Sequence, residues 1–250
     1  TRRSSDLGSA GAIDYFKKAL QVIDAIMNVE INPENSIIMF GSWVSSDNPR
    51  YYYGTRSSDF MMHHLKVYQK ATGDLRWTQT VDATYTLIED IQRKYTWGTG
   101  LLPDFIEKTD GAPKPAGRYY LEGTFDGCYY YNACRAPWRI GTDYLMSGDD
   151  RAFAAVNTIT AWMRSRTLEN PENIRAGYRL CGANIWGNAY TDLAFTAPLG
   201  VGAMMDKRHQ SWLNDIWDSV VRTSLSEGDY YGNTLKLISM LVMSGNWWSP

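Results

Sequence analysis

Apolar side chains recur every three or four positions through much of the chain, the spacing that lays a single stripe along a helix. Ile13, Phe16, Leu20, Ile23 and Met27 form one stripe between Ala12 and Met27, with Lys17, Lys18 and Gln21 on the other side. Phe60, Met61, His64, Leu65 and Tyr68 form a second, and Trp77, Val81, Thr84, Leu87, Ile88 and Ile91 a third. Further windows run approximately over Asn132 to Met146, Ala152 to Arg166, Asp192 to Met205, Ser211 to Leu225 and Tyr230 to Ser244. The pattern predicts about eight helices.

The breaks between stripes are of two kinds. Thr72-Gly73-Asp74-Leu75-Arg76-Trp77 and Ser147-Gly148-Asp149-Asp150-Arg151-Ala152 each end a helix on glycine and open the next with an acid, the preference of helix C- and N-termini. Asp206-Lys207-Arg208-His209 makes a similar short reversal without glycine. These joints predict antiparallel helix pairs repeating along the chain. The other connections are long: Asn28 to Ser57, Tyr95 to Tyr129, and Ser165 to Thr191. In a ring of hairpins the short turns gather at one end and the long loops at the other, so the long-loop end is where a site is expected.

Composition narrows the possibilities. With 250 residues, 44% of them hydrophobic, one large domain can bury a substantial core. A formal net charge of -2 gives no electrostatic basis for holding nucleic acid or an anionic membrane. Runs such as Leu235 to Met243 are too short and too interrupted to span a bilayer. Cys128, Cys134 and Cys181 lack paired metal or disulfide spacing and are expected to be mostly buried small hydrophobes. His63 and His64 have no third ligand at metal spacing, so neither metal nor cofactor is expected. Aromatic residues reach 14%, and Tyr51 to Tyr53, Tyr129 to Tyr131 and Trp247-Trp248 are consecutive. Consecutive residues cannot all face inward from one helix, so some of these rings must line a cleft or surface.

The densest constellation lies between Tyr120 and Ile140. Glu122 and Asp126 sit in a glycine-flanked loop, and Asn132, Arg135, Trp138 and Arg139 follow on the first turns of a predicted helix. Glycosidic hydrolysis needs an acid to protonate the leaving oxygen and a carboxylate to attack the sugar or activate water. Flat aromatic faces suit the apolar faces of sugar rings. The blander alternatives are a solvated loop charge at Glu122, Arg135 and Arg139 bracing Asp143 and nearby carbonyls, and Asp59 as an acid of a helix N-cap region.

Five segments carry a family resemblance: Gly41-Ser42-Trp43-Val44, Thr55-Arg56-Ser57-Ser58-Asp59-Phe60-Met61, Gly100-Leu101-Leu102-Pro103-Asp104, Tyr131-Asn132-Ala133-Cys134-Arg135-Ala136-Pro137-Trp138-Arg139-Ile140, and Tyr230-Tyr231-Gly232-Asn233-Thr234-Leu235-Lys236-Leu237. Together, in this order, they resemble glycoside hydrolase family 8, most of all its bacterial chitosanases, some of which also cleave mixed-linkage β-glucan. The resemblance implies an all-α fold, an (α/α)6 toroid of helical hairpins, and an inverting, endo-acting mechanism on a β-1,4-linked polysaccharide without metal. Where cellulase-like members carry a basic aspartate, this chain has Asn132, which cannot accept the proton. Members with asparagine there use a glutamate from an upstream loop, and Glu122 matches it as the general base. Trp43 matches a sugar-stacking tryptophan, Tyr131 and Arg135 match residues at the cleavage point, Trp138 falls in the same motif, and Tyr231 matches a cleft tyrosine.

The family's general acid, a glutamate in a Ser-Glu-Gly-x-Gly-Tyr-Gly type motif, has no counterpart, and Ser226-Glu227-Gly228 before the last helix shares three letters of it. Residues 1 to 250 are therefore expected to be a single catalytic domain lacking its N-terminal third, joined near Leu7-Gly8-Ser9. The whole is expected to be secreted and monomeric, with the missing segment completing it. The competing expectations are a glycan-binding fragment without the acid, and a helical-repeat scaffold for protein partners, which would need a broad exposed apolar face.

Overall fold

A computed structural model of the chain describes residues 13–249. The proposed junction at Leu7-Gly8-Ser9, and Ala12 at the start of the first stripe, lie outside the described residues. Nine α-helices occur among the described residues: α1 (Tyr15–Val29), α2 (Pro49–Tyr52), α3 (Met62–Thr72), α4 (Arg76–Tyr95), α5 (Ala136–Ser147), α6 (Asp150–Arg166), α7 (Leu193–Ala203), α8 (Gln210–Arg222) and α9 (Tyr230–Met243). Eight of these fall on the predicted windows. The ninth, α2, is a single turn begun by Pro49 and too short to leave a periodic signature.

The turns work as their sequences imply. Gly73 and Gly148 close α3 and α5 in the left-handed conformation, with φ of 72° and 70°. Asp149 caps α6 by accepting from the Arg151 backbone N–H, and Asp206 does the same for Arg208 in the third reversal. The resulting hairpins α3/α4, α5/α6 and α7/α8 pack side by side: α3, α5, α7 and α9 follow one another as neighbours, while α4 and α6 form a second layer. This is the hairpin arrangement of an (α/α)6 toroid. Helix α7 (LAFTAPLGVGA) is buried all round from Ala194 to Ala203, as its uniformly apolar sequence requires.

The first stripe departs from expectation. Ile23 and Met27 are buried, but Ile13 and Phe16 are exposed, as are Tyr15 and Val22. The packing of α1 against α3 brings Ile23 and Met27, in its C-terminal half, into the core. A second exposed apolar region, lined by His63, His64, Tyr68, Leu241, Trp247 and Trp248, lies between α3 and the end of α9. Among the described residues no helix is long and apolar enough to cross a membrane.

Three short strands stitch the long loops: β1 (Thr55–Arg56), β2 (Phe105–Glu107) and β3 (Lys114–Pro115), antiparallel in that order. A bridge between Tyr129 and Tyr178 adds the third long loop. All three long loops thus meet at one end of the helical pairs. The cysteines split: Cys134 is buried and Cys128 half-buried, but Cys181 is exposed, which corrects the expectation for that residue, because the 177–182 reversal turns it outward.

Candidate active site

The Glu122 loop is held from below by a second acid. Asp126 is buried, and its carboxylate accepts from three successive backbone N–H groups, Leu121 (2.7 Å), Glu122 (3.0 Å) and Gly123 (2.7 Å). The loop's base is fixed to the sheet where Phe105 N–H donates to Asp126 O and Ala116 N–H to Phe105 O. Gly127 is required there, since a Cβ would stand 2.2 Å from the Ala116 carbonyl oxygen. On the other flank Tyr51 and Arg50 both donate to the Tyr120 carbonyl, and the Tyr120 hydroxyl donates to the carbonyl of Arg50.

So anchored, Glu122 carries a side chain 52% exposed, with its two oxygens engaged differently. Oε2 accepts from Asn132 Nδ2 at 2.9 Å, and Oε1 lies 3.5 Å from Arg56 Nη2. Asn132 Oδ1 in turn accepts from Arg135 Nη2 at 2.6 Å. Arg56 lies over the rings of Phe40 and Phe105, and Phe40 is stacked on Trp43, 57% exposed, with centroids 6.2 Å apart and planes 10° from parallel. A chain of contacts thus runs from an exposed indole through Phe40, Arg56 and Glu122 to Asn132 and Arg135.

Tyr131 completes the other side. Its hydroxyl donates to Asp192 Oδ2 at 2.7 Å and touches the Tyr190 hydroxyl at 3.1 Å. Burial, reinforced by those two partners, pushes its pKa far up, so the phenol keeps its proton. Tyr231, at the start of α9, donates to the Tyr131 carbonyl and lies beneath the Arg135 guanidinium, 5.8 Å from its ring centroid.

Glu122, Asn132, Tyr131, Arg135 and Tyr231 are therefore brought together, and Trp43 joins them through Phe40 and Arg56. Trp138 is not: it is 6% exposed and packed in the core, with the Arg139 guanidinium 5.1 Å from its ring centroid, and that burial corrects its assignment as a sugar contact. Nor do Arg135 and Arg139 brace Asp143. Arg139 pairs with Asp59 at 3.6 Å and donates to the Ser58 carbonyl, while Asp143 is taken by Lys66 on α3. Asp59 is thus held between Arg139 and Arg56.

One acid at this site escapes a reading by pattern. Asp104 is 2% exposed, and its Oδ1 accepts from the backbone N–H groups of Tyr130 (2.9 Å) and Ala133 (2.7 Å). Its Oδ2 lies 3.4 Å from Asn132 Nδ2. Burial raises its pKa to about 7 despite the opposing pull of these donors. The available signal was an acid inside the apolar run Leu101 to Ile106. Chemically, the arrangement offers a half-exposed carboxylate, Glu122, oriented by an amide and flanked by guanidinium groups and aromatic rings.

Known proteins resemble the chain over nearly its whole length. The family model described as Glycosyl hydrolases family 8 matches residues 9–245. A beta-glucanase of Niallia circulans is 45% identical over 97% of this chain and 58% of its own length. An endoglucanase of Bacillus sp. (strain KSM-330) is 33% identical over 97% of this chain and 50% of its own. The apo structure of a beta-1,3-1,4-glucanase from Paenibacillus sp. X4 superposes with a TM-score of 0.93 at 42% identity, covering 99% of this chain and 64% of that one. The chain spans about half the length of the curated relatives it matches.

Proposed function

Because this chain belongs to glycosyl hydrolase family 8, we propose that it supplies the base side of an endo-acting, inverting site for a β-1,4-linked glycan. The observation that carries the reading is the Asn132–Glu122 contact at 2.9 Å. An amide cannot take a proton from water, whereas a carboxylate can. With Oε2 held by the amide, Oε1 is the oxygen placed to accept a proton from a water attacking the anomeric carbon. The departing oxygen is protonated from the opposite side of the sugar by a separate acid, and inversion follows from attack on the face opposite the leaving group. Trp43 offers a ring face to a neighbouring sugar.

The substrates we propose are chitosan and mixed-linkage β-glucan. Chitosan is supported by the Glu122 loop standing in for an absent aspartate, and mixed-linkage glucan by the name of one relative, the beta-1,3-1,4-glucanase. A polymer too large to enter a cell favours action outside it. No counterpart of the family's acid motif occurs in these 250 residues, which supports a second reading in which this chain alone binds glycan but cleaves it weakly. We infer that further sequence like that of the longer relatives completes the site.

Release of reducing ends from chitosan, mixed-linkage β-glucan and xylan, beside calorimetry with the matching oligosaccharides, separates the two readings. Binding with little cleavage is expected of the chain alone. Full turnover that survives Glu122→Gln would overturn both the base assignment and the missing acid.

A further inference from the structure

The amide of Asn132 is shared. Its nitrogen carries two protons, one directed to Glu122 Oε2 at 2.9 Å and the other toward Asp104 Oδ2 at 3.4 Å, while its oxygen receives Arg135 Nη2 at 2.6 Å. Turning the amide over would set its oxygen against two carboxyl groups and its nitrogen against a guanidinium group, so the electrostatics select one orientation. Asp104 is itself immobile. Beyond the two backbone donors on Oδ1, its own N–H donates to Cys128 O and its carbonyl accepts from Ser57 N. The residue is thus tied through its backbone to Cys128 and Ser57, and through its carboxyl to the turn that carries Asn132.

We propose that Asp104 is a positioning residue for the candidate base: through the shared amide of Asn132 it fixes which oxygen of Glu122 is held and which is left for water. Functionally this rests on the reading of Glu122 as the base. The coupling itself does not, because it is a property of three side chains in the unliganded protein. The groups facing Asp104 are the N–H donors of Tyr130 and Ala133 and the Asn132 amide from the turn before α5. Arg135 lies behind that amide, and Cys128, Tyr129, Cys134 and Tyr231, which feel the Asp104 charge, are neutral at neutral pH. Glu122 is the other carboxylate on the amide.

The test is a carboxyl titration by 13C NMR of the chain labelled at glutamate side chains, with Glu122 assigned by Glu122→Gln. Because the two groups share the Asn132 amide, the Glu122 resonance should carry an upper step near pH 7 that reports Asp104 taking its proton. Asp104→Asn keeps the oxygen that serves Tyr130 and Ala133 but replaces the one facing Asn132, so the upper step should vanish while the fold survives. Asn132→Ala should abolish it too with Asp104 still present, and carries the test alone if Asp104→Asn fails to fold. A single step in the native chain, or an upper step that persists in either folded variant, overturns the proposal. Activity lost or kept elsewhere bears on the base assignment and not on this coupling.

Discussion

The two ends of the helical pairs each hold a cluster of acids and bases, and the clusters are built on opposite terms. At the short-turn end Lys66 bonds Asp143 at 2.6 Å and Asp149 at 2.8 Å, Tyr85 donates to Asp143 at 2.5 Å, and Arg151 reaches both Asp149 and Asp82. The Asp143 side chain is wholly buried and its oxygens are all engaged. At the long-loop end the ion pairs are looser, 3.5 Å from Arg56 to Glu122 and 3.6 Å from Asp59 to both Arg56 and Arg139, and one carboxylate is left half in solvent. Even the direction of the shifts differs. Hydrogen bonds from Arg151 hold Asp149 well below the carboxylate range, whereas burial lifts Asp104 to about 7. A cluster that satisfies every charge at close range stabilises a fold. One that leaves a carboxylate oriented but incompletely paired can react.

Breaking each cluster should expose that division. Asp143→Ala removes the buried partner of Lys66 and Tyr85, and should cost about 3 kcal/mol in urea unfolding, the low end for a broken buried pair because Lys66 keeps Asp149. Glycan binding should be unchanged. Glu122→Gln is the mirror case: in a protein that includes the acid, kcat should fall about a hundredfold or more, with stability within about 0.5 kcal/mol of native. A large loss of stability there would mean the loop end is structural after all. Trp43→Ala should weaken oligosaccharide binding by roughly tenfold, read by calorimetry, with no change in melting temperature.

The last contrast concerns pH. Asp149 has a folded pKa depressed from 3.8, so its contribution to stability is present above that range and is lost as pH falls through it. Asp104 has a folded pKa raised from 3.8 to about 7, so its contribution is present in acid and declines across that interval as pH rises. Asp149→Asn should flatten the acid limb of the stability curve, and Asp104→Asn should flatten its decline between about pH 4 and 7. Identical limbs in both variants would erase the contrast.

The helical pairs were legible because burial imposes a period: the stripes of α4, α6 and α8 name their own inward faces, and Gly73 and Gly148 mark where helices must stop. The same logic misled for α1, where Phe16 continues the stripe and yet is 52% exposed. Glu122, Asn132 and Arg135 were legible through family likeness, which fixes residue types at separated positions. Trp138 shares their motif but is packed in the core, a difference in burial that residue type alone does not mark. Asp104 closes one of the family segments, but neither its role nor the supporting role of Asp126 had a periodic marker. Their work is to accept backbone N–H groups across irregular loops, and two-residue strands and turns leave no period from which that could be read.

The close approach of Gly127 to the Ala116 carbonyl leaves the Glu122 loop no room for a side chain at its root, while its crest has room to spare. No side chain fits at position 127 without pushing β3 aside, whereas a Cβ at Gly117 or Gly123 would meet nothing within 4 Å. Lineages or designers could therefore recode the rim of this loop while Glu122 keeps its station.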